Sequence, residues 1–194
     1  MIFQGIIFDL DGVICSTDEY HYQAWKELAD REGIPFDRSV NNRLRGVSRM
    51  ESLEILLERA KRSYSQEEKE KMAAVKNTRY QELLREMTPA DLSPEVFETL
   101  ETLRKQGLKL AIGSSSKNTP LILDRLGLGG YFDAVSDGNN ITRSKPDPEV
   151  FLKAAEYLGL SPETCLVVED AVSGVEAAHR AGMKARKQNV FDDF

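Results

Sequence analysis

The sequence predicts an α/β protein: a doubly wound parallel sheet with a helical cap inserted after its first strand. Two observations predict this fold class. After residue 88, short apolar segments alternate with helical patterns, which is typical of a parallel sheet with helices on both faces. Residues 18–87 contain helical patterns with no strand pattern between them. We therefore predict a core domain of residues 1–17 and 88–194, and a cap domain of residues 18–87.

The core domain is predicted to contain short strands separated by helices. Each strand is an apolar segment, as expected for a strand that is buried on both faces of a parallel sheet. The helices begin near prolines and end at glycines, which are common at those positions. The predicted strands are residues 2–10, 108–112, 133–135 and 165–168, and the predicted helices are about 94–106, 119–126, 148–158 and 172–181.

The cap is predicted to be entirely helical. His21, Trp25 and Leu28 are spaced four and three residues apart, which places them on one helix face. Ser65 and Glu68 have the spacing of a capping box, in which each residue accepts a hydrogen bond from the backbone of the other. A long helix should therefore begin just after Ser65.

The composition is that of an acidic globular protein. The 194 residues include 32 acidic and 26 basic side chains, which give a net charge of −6. A negative net charge argues against a nucleic-acid partner held by a basic patch. No apolar stretch reaches membrane-spanning length, and the first residues lack a leader pattern. We expect a soluble, monomeric, cytoplasmic protein without membrane or nucleic-acid partners.

Acidic side chains follow two of the predicted strands. Asp9 and Asp11 leave the first strand, and Glu169 and Asp170 leave the strand at 165–168. Ligands of such sheets bind at the carboxyl ends of the strands. Asp9 can act as a nucleophile on phosphorus and Asp11 as a general acid, and Asp9 with the acidic pair can bind a hard cation such as Mg²⁺. Alternatively, these residues only form turns.

Two further polar residues fit a phosphate. Ser114 follows the strand at 108–112 and can donate its hydroxyl hydrogen to a phosphate oxygen near a helix start. Lys145 precedes Pro146 in a loop and can neutralise phosphate and carboxylate charge. Taken singly, Ser114 is explained as part of a serine-rich turn and Lys145 as a solvated lysine.

The order of these features along the chain resembles that of the haloacid dehalogenase superfamily of phosphotransferases. The features are Asp9-x-Asp11-Gly12, a serine cluster after a strand, a Lys-Pro pair and an acidic pair after a strand. The resemblance extends from Phe8 to about Met183. It implies a Rossmann-like core, Mg²⁺ as cofactor and phosphoryl transfer through a covalent aspartyl phosphate.

Within that superfamily the chain resembles the β-phosphoglucomutase family. Members interconvert β-glucose 1-phosphate and glucose 6-phosphate through β-glucose 1,6-bisphosphate, so the resemblance implies a sugar phosphate and a bisphosphate as partners. The residues that carry it are Phe8–Ile14, Thr17, Glu19–His21, Ala24–Trp25, Leu44, Gly46–Arg49, Ser52, Ser114–Asn118, Ser144–Pro146 and Glu169–Asp170.

The resemblance also implies roles for individual residues. Asp9 would be the nucleophile, Asp11 the general acid and base, and Ser114 and Lys145 the groups that hold the transferring phosphoryl group. Mg²⁺ would be surrounded by Asp9, the backbone carbonyl of Asp11, Glu169 and Asp170. The distal phosphate would be bound by Arg49 from the cap and by Ser116 and Asn118 from the core. The remaining implied substrate-binding residues are Thr17, His21, Trp25, Gly46, Val47, Ser48, Ser52 and Lys76.

Each cap residue also has a purely structural explanation. Trp25 and His21 lie on an apolar helix face and can simply be packed there. Residues 46–49 can form an ordinary turn between helices, which would leave Arg49 solvated. Lys76 follows Val75 at the margin of an apolar helix face, where a surface lysine is the default.

The end of the chain departs from the family. The family continues past the last helix with an apolar edge strand, a loop and a terminal helix. Here residues 185–194 are polar, do not resemble a buried strand, and suggest a truncation or a change of reading frame. We expect this tail to lower stability and leave the chemistry intact.

Three functions are compatible with these observations. The first is that of a β-phosphoglucomutase. The second is that of a sugar-phosphate phosphatase with the same core, in which water accepts the phosphoryl group. The third is that of a folded but inactive binding protein, if the short tail disturbs the core.

Overall fold

The computed structural model describes residues 3–44 and 47–187. The chain forms two compact units, Met1–Ser16 with Met87–Phe194, and Thr17–Glu86. These bounds lie one residue from the predicted domain bounds. None of the described helices combines the length and the apolar character needed to cross a membrane.

The described elements follow the predicted alternation. In chain order they are β1 (Gly5–Phe8), α1 (Asp18–Glu32), α2 (Arg38–Arg43), α3 (Arg49–Leu57), α4 (Gln66–Leu84), α5 (Pro94–Lys105), β2 (Lys109–Gly113), α6 (Thr119–Arg125), β3 (Ala134–Ser136), α7 (Glu149–Leu158), β4 (Cys165–Val168), α8 (Val172–Arg180) and β5 (Lys184–Arg186), with short 3₁₀ turns at Pro89–Asp91 and Pro162–Thr164.

In the first unit, the described strands form one parallel sheet in the order β3-β2-β1-β4-β5. The central strand, β1, pairs in parallel with both β2 and β4, and Phe8 lies opposite Ile112 and Val168. The predicted α/β fold class is therefore confirmed. Since β1, β2 and β4 end at the same level, the residues that follow them emerge at one edge of the sheet.

Alternation along the buried strands directs side chains to both faces of this sheet. Ile7, Ala111 and Val167 belong to one core cluster, in which they pack with Phe151 of α7 and Ala177 of α8. Their neighbours along the strands are also buried, so both faces are covered. The strand ends are thus held on a rigid, closely packed support.

In the second unit, α1 and α4 pack against each other and share a core with α2 and α3. Trp25 and Leu28 are buried, and the capping box of Ser65 and Glu68 forms as predicted. The predicted apolar residues of α4 include Met72, Leu83 and Leu84, which are buried, and the prediction was wrong only at Val75. Val75 is 42% exposed, whereas Lys76 is only 3% exposed. Lys76 is therefore not at the surface, where a lysine is usually found.

The chain after α8 also differs from the expectation. Lys184–Arg186 forms the strand β5, which pairs in parallel with β4 and places Arg186 opposite Val168. The prediction that no edge strand follows the last helix was therefore wrong. Backbone pairing needs no apolar side chain, and β5 is only half-buried, so its polar composition is compatible with an edge strand. Residues 188–194 lie outside the described part of the chain.

Candidate active site

Three carboxylates meet at the carboxyl ends of β1 and β4. The two strands are paired in register, and Asp9 continues the pairing by donating its backbone N–H to the carbonyl of Val168 at 2.9 Å. Carboxylate oxygens of Asp9, Glu169 and Asp170 lie within 4.8 Å of one another. Asp9 and Glu169 are buried, and Asp170 is exposed. The sheet register therefore brings together residues that lie 160 positions apart.

Lys145 joins this cluster from the loop before α7. Its Nζ donates to Asp9 Oδ1 at 2.6 Å and to Glu169 Oε2 at 2.7 Å, and it lies 4.7 Å from the centre of the Phe151 ring. Burial opposes the charge of Lys145, but Asp9 and Glu169 outweigh it and raise the pKa of the ammonium above its usual value. Lys145 is thus a buried cation that is held by the two carboxylates.

Burial raises the pKa of Asp9 to about 6, against the opposing attraction of Lys145. The cluster places three carboxyl groups beside one ammonium. Three carboxylates within reach of one another form a donor set that suits a hard divalent cation, which prefers oxygen ligands. The side chain of Asp11 is not part of this carboxylate cluster within the described residues. Its backbone carbonyl stays a predicted ligand.

Gly12 and Gly174 make room for the acidic pair. A Cβ atom on Gly12, which has a φ of 94°, would lie 2.4 Å from Asp170 Oδ2. A Cβ atom on Gly174 of α8 would lie 1.8 Å from Glu169 Oε2 and 2.0 Å from its Cδ. The Glu169 carboxylate also accepts backbone hydrogen bonds from Asp170 and Ala171 at 3.1 and 3.0 Å. The Glu169 carboxylate can occupy this position only because residue 174 is a glycine and has no Cβ atom.

We expect Gly174→Ala to weaken binding of a divalent cation by about 10- to 100-fold, the usual effect of disturbing a group that orients a ligand. The added methyl group must displace the Glu169 carboxylate. Alanine is otherwise the better helix former, so helix propensity cannot explain a loss. Calorimetric titration with Mg²⁺ measures the effect, and Ser173→Ala on the same helix is the control. Parental affinity in the Gly174→Ala variant would contradict the assignment of Glu169 as a ligand.

The loop after β2 presents the predicted serines. Ser114 is buried, and its Oγ accepts the backbone N–H of Ser116 at 3.2 Å. The Oγ of Ser116 accepts the N–H of Asn118 at 3.1 Å. Since both oxygens act as acceptors inside the loop, the hydroxyl hydrogens are free to point toward a phosphate. Ser115, which belongs to the predicted serine cluster but was assigned no role, accepts the backbone N–H of Lys145 at 3.3 Å and so ties this loop to the lysine loop.

In the cap unit, His21 and Lys76 form a contact pair. The distance from Lys76 Nζ to His21 Nδ1 is 2.8 Å. Burial, together with the positive charges of Lys76 and Arg49, holds the pKa of His21 well below its usual value. His21 is therefore neutral at pH 7. Because an ammonium only donates, Nδ1 is the acceptor and Nε2 carries the ring proton.

Tyr80 connects these cap residues and was missed in the sequence. Its ring stacks on His21 with centroids 4.0 Å apart, and Lys76 Nζ lies 4.4 Å from its centre. Its hydroxyl donates to Thr17 Oγ1 at 2.9 Å, and Lys76 Nζ also lies 4.9 Å from the Trp25 ring. The spacing of Tyr80 four residues after Lys76 places both on one helix face, which is the signal that could have identified it.

The residues around the start of α3 differ in burial and in the contacts that they make. Ser48 is the N-cap of α3 and forms a capping box with Glu51, which gives it a structural role. Arg49 is half-buried, and burial lowers the pKa of its guanidinium; Ser52 is buried. Val47 is 40% exposed. Gly46, also predicted to bind substrate, lies outside the described residues.

Known proteins are similar to this chain in sequence and in fold. β-Phosphoglucomutase of Bacillus subtilis (strain 168) is 45% identical over 94% of this chain and 81% of its own length. A phosphorylated carbohydrates phosphatase of Thermotoga maritima is 35% identical over 93% of this chain and 82% of its own length. The crystal structure of β-phosphoglucomutase from Clostridium difficile, 41% identical, superposes with a TM-score of 0.86 over 95% of this chain and 83% of that chain.

The family model gives the broader assignment. The model of haloacid dehalogenase-like hydrolases matches residues 3–182. This range contains all the core residues of the acidic cluster, the serine loop and the lysine loop, and the whole of the cap unit. The chain therefore belongs to the haloacid dehalogenase-like hydrolase family.

Proposed function

We propose that this protein is a β-phosphoglucomutase, an isomerase that interconverts β-glucose 1-phosphate and glucose 6-phosphate. The phosphoryl group passes to Asp9 and back to sugar, with β-glucose 1,6-bisphosphate as the intermediate. The high identity to the B. subtilis enzyme over most of the chain supports this function. The close fold similarity to the C. difficile enzyme supports it as well.

Asp9 is the proposed nucleophile because it is a buried carboxylate at the strand end, beside a cation. A carboxylate oxygen of Asp9 attacks phosphorus, the bond from phosphorus to the sugar oxygen breaks, and Asp11 gives that oxygen a proton. Lys145 and Ser114 hold the phosphoryl oxygens. Lys145 already carries its proton next to Asp9, so it is ready to offset phosphate charge.

Mg²⁺ is the proposed metal, held by Asp9, Glu169, Asp170 and the backbone carbonyl of Asp11. When bound, it neutralises charge on the phosphoryl oxygens. The support is the spacing of the carboxylate oxygens, all within 4.8 Å of one another.

The cap carries the observation that favours a mutase. Lys76 is buried against His21, Trp25 and Tyr80, and Arg49 lies near enough to lower the pKa of His21. Two cations in a partly dry environment suit a second phosphate, which a bisphosphate has and a small phosphate ester lacks. We propose that Arg49 binds this phosphate, and Ser116 and Asn118 are likewise proposed as phosphate-binding residues. Thr17, His21, Trp25, Val47, Ser48, Ser52 and Lys76 complete the proposed sugar site, with Gly46.

The direct test is incubation with β-glucose 1-phosphate, Mg²⁺ and a bisphosphate primer. We expect glucose 6-phosphate as the main product, measured by a coupled dehydrogenase assay. The second candidate is a sugar-phosphate phosphatase, which the relative from T. maritima favours. Free phosphate as the main product would establish that candidate in place of the mutase. We further propose a monomer that acts in the cytoplasm without membrane or nucleic-acid partners.

We expect Arg49→Lys to reduce mutase turnover at least about tenfold, while hydrolysis of a small phosphate ester changes little. A guanidinium can bind phosphate with two parallel hydrogen bonds, and a lysine ammonium cannot. The two rates are measured with β-glucose 1-phosphate and with p-nitrophenyl phosphate, a small phosphate ester. Arg59→Lys, a change at an exposed surface ion pair with Asp37, is the control. An equal loss of rate in both assays would show that Arg49 supports the fold and does not bind a distal phosphate.

A further inference from the structure

The segment that carries Lys145 has no helix or strand of its own. Residues 141–148 run from the end of the β3 region to the start of α7 as bends and turns. Such a segment has many conformations available, and fixing each residue costs about 1–2 kcal/mol in backbone entropy. The ammonium of Lys145 nevertheless reaches Asp9 and Glu169 at 2.6 and 2.7 Å. Other contacts must hold the backbone in place.

Besides the hydrogen bond from the Lys145 backbone N–H to Ser115 Oγ, several of those contacts converge on one carboxylate, that of Glu149 at the first position of α7. Its Oε2 accepts the backbone N–H of Thr142 at 3.1 Å, the Thr142 hydroxyl at 2.9 Å and the backbone N–H of Arg143 at 2.9 Å. Its Oε1 lies 3.6 Å from Lys153 Nζ, one turn along the helix. Two consecutive backbone groups just before Lys145 are thus bonded to one side chain.

The electrostatics of Glu149 agree with this geometry. Burial raises its pKa, but the hydrogen bonds from Thr142 and Arg143 and the charge of Lys153 outweigh burial and lower the pKa to about 2. Glu149 is therefore ionised over the whole working pH range. An ionised acceptor forms the stronger class of hydrogen bond, so the loop is bonded to a permanent charge.

The same helix also contacts the lysine directly. Phe151, two residues after Glu149, places its ring 4.7 Å from Lys145 Nζ. A Cβ atom on Gly113, the last residue of β2, would lie 2.7 Å from the Phe151 ring, so α7 packs tightly against the sheet. The helix that holds the loop through Glu149 is therefore itself held at a set distance from the strand ends.

We propose that Glu149 is a positioning residue, which holds residues 142–143 against α7 so that Lys145 reaches Asp9 and Glu169. The inference rests on the role of Lys145 in the proposed phosphoryl transfer. Glu149 does not contact the reacting groups and acts only through the lysine. A glutamate at this position could alternatively serve only the helix, since negative charge stabilises a helix N-terminus. The two roles predict different effects of replacing Glu149. If Glu149 positions the loop, its loss makes Lys145 more accessible; if it only stabilises the helix, Lys145 stays in place.

The test compares Glu149→Ala with Glu149→Gln and with the control Glu156→Ala, an exposed glutamate seven residues later on the same helix. A displacement of about 1 Å in a catalytic group can reduce turnover about 100-fold, so we expect Glu149→Ala to lower kcat about 10- to 100-fold with less change in KM. Glu149→Gln keeps one oxygen that can accept from Thr142 and Arg143, and it should recover most of the lost kcat.

A second measurement does not depend on activity. Amine acetylation at a fixed pH, followed by peptide mass spectrometry, reports how accessible each lysine is. In the folded parent without added Mg²⁺, Lys145 should react slowly because its side chain is 8% exposed. In Glu149→Ala, Lys145 should react several-fold faster, while Lys71, which is 72% exposed on α4, should react at the parental rate.

Each result of the labelling experiment either supports or contradicts the positioning role of Glu149. Faster labelling of Lys145 alone, together with recovery by glutamine, supports the positioning role. Parental labelling of Lys145 in Glu149→Ala overturns it, even if kcat falls. Faster labelling of all lysines also overturns it, because the variant has then lost its fold. If the parent shows no mutase activity, the proposed function fails, but the labelling comparison still tests the contact between Glu149 and the lysine loop.

Discussion

Asp9→Asn is expected to abolish turnover, with a loss of at least about 10⁴-fold, which equals about 5.4 kcal/mol in the transition state. The amide has the same shape as the carboxylate, but it is a far weaker nucleophile toward phosphorus. It also removes one negative ligand from the carboxylate cluster. Steady-state turnover of β-glucose 1-phosphate, and trapping of labelled phosphoenzyme, measure the loss. Substantial turnover in this variant would contradict the assignment of Asp9 as the nucleophile.

The same variant should remain folded, and its stability has a predicted pH dependence. Burial raises the pKa of Asp9 to about 6 from its ordinary 3.8, so the fold disfavours the ionised form. Ionised Asp9 therefore lowers stability at pH 7 without metal, and the neutral amide removes that effect. We expect a melting temperature at or above the parental one at pH 7, with the difference vanishing below pH 3.8. Asp124→Asn, a change at an exposed aspartate of α6, is the control.

Asp11→Ala is expected to lower turnover about 10²- to 10⁴-fold, the usual contribution of a general acid. The sugar oxygen is a poor leaving group without a proton, and Asp11 is the proposed source of that proton. The loss should depend on the leaving group. With p-nitrophenyl phosphate, whose leaving group needs no proton, phosphoenzyme formation should be almost normal.

The comparison of the two substrates separates acid catalysis from a structural effect. Asp11 leads into the loop closed by the hydrogen bond from the Gly12 N–H to the Cys15 carbonyl at 2.7 Å. Loss of that loop would disturb Asp9 and reduce both reactions equally. An equal loss with both substrates would therefore remove Asp11 from the proton path, while a loss confined to the sugar substrate supports its role.

The strands and helices were largely predictable because each is encoded locally. The apolar segment at 165–168 is β4 with the predicted bounds. The capping box at Ser65 and Glu68 marks the start of α4, since each of these side chains accepts a hydrogen bond from a backbone group three residues away. The order of strands and helices then implied a parallel sheet, and the parallel sheet implied that polar strand ends meet.

The tail shows where composition alone misleads. Residues 184–186 are lysine, alanine and arginine, a poor strand sequence by propensity. They form β5 because β4 offers a free row of backbone groups at the end of the sheet, and Glu169 donates its N–H to the carbonyl of Arg186 at 3.0 Å. Pairing with the neighbouring strand β4 thus makes these residues a strand, although their own propensity does not favour one.

By itself, the sequence determined the fold class, the inserted cap and the residue types of the acidic cluster, since these follow from periodicity, capping and strand ends. Only the tertiary structure decided that Lys76 is buried while Val75 is exposed, and that Tyr80 lies against His21. It also decided that Gly174 makes room for Glu169 and that Glu149 holds the loop of Lys145. The physical reason is range: helix and strand patterns depend on neighbours within a few residues, whereas contacts between distant elements depend on how those elements pack.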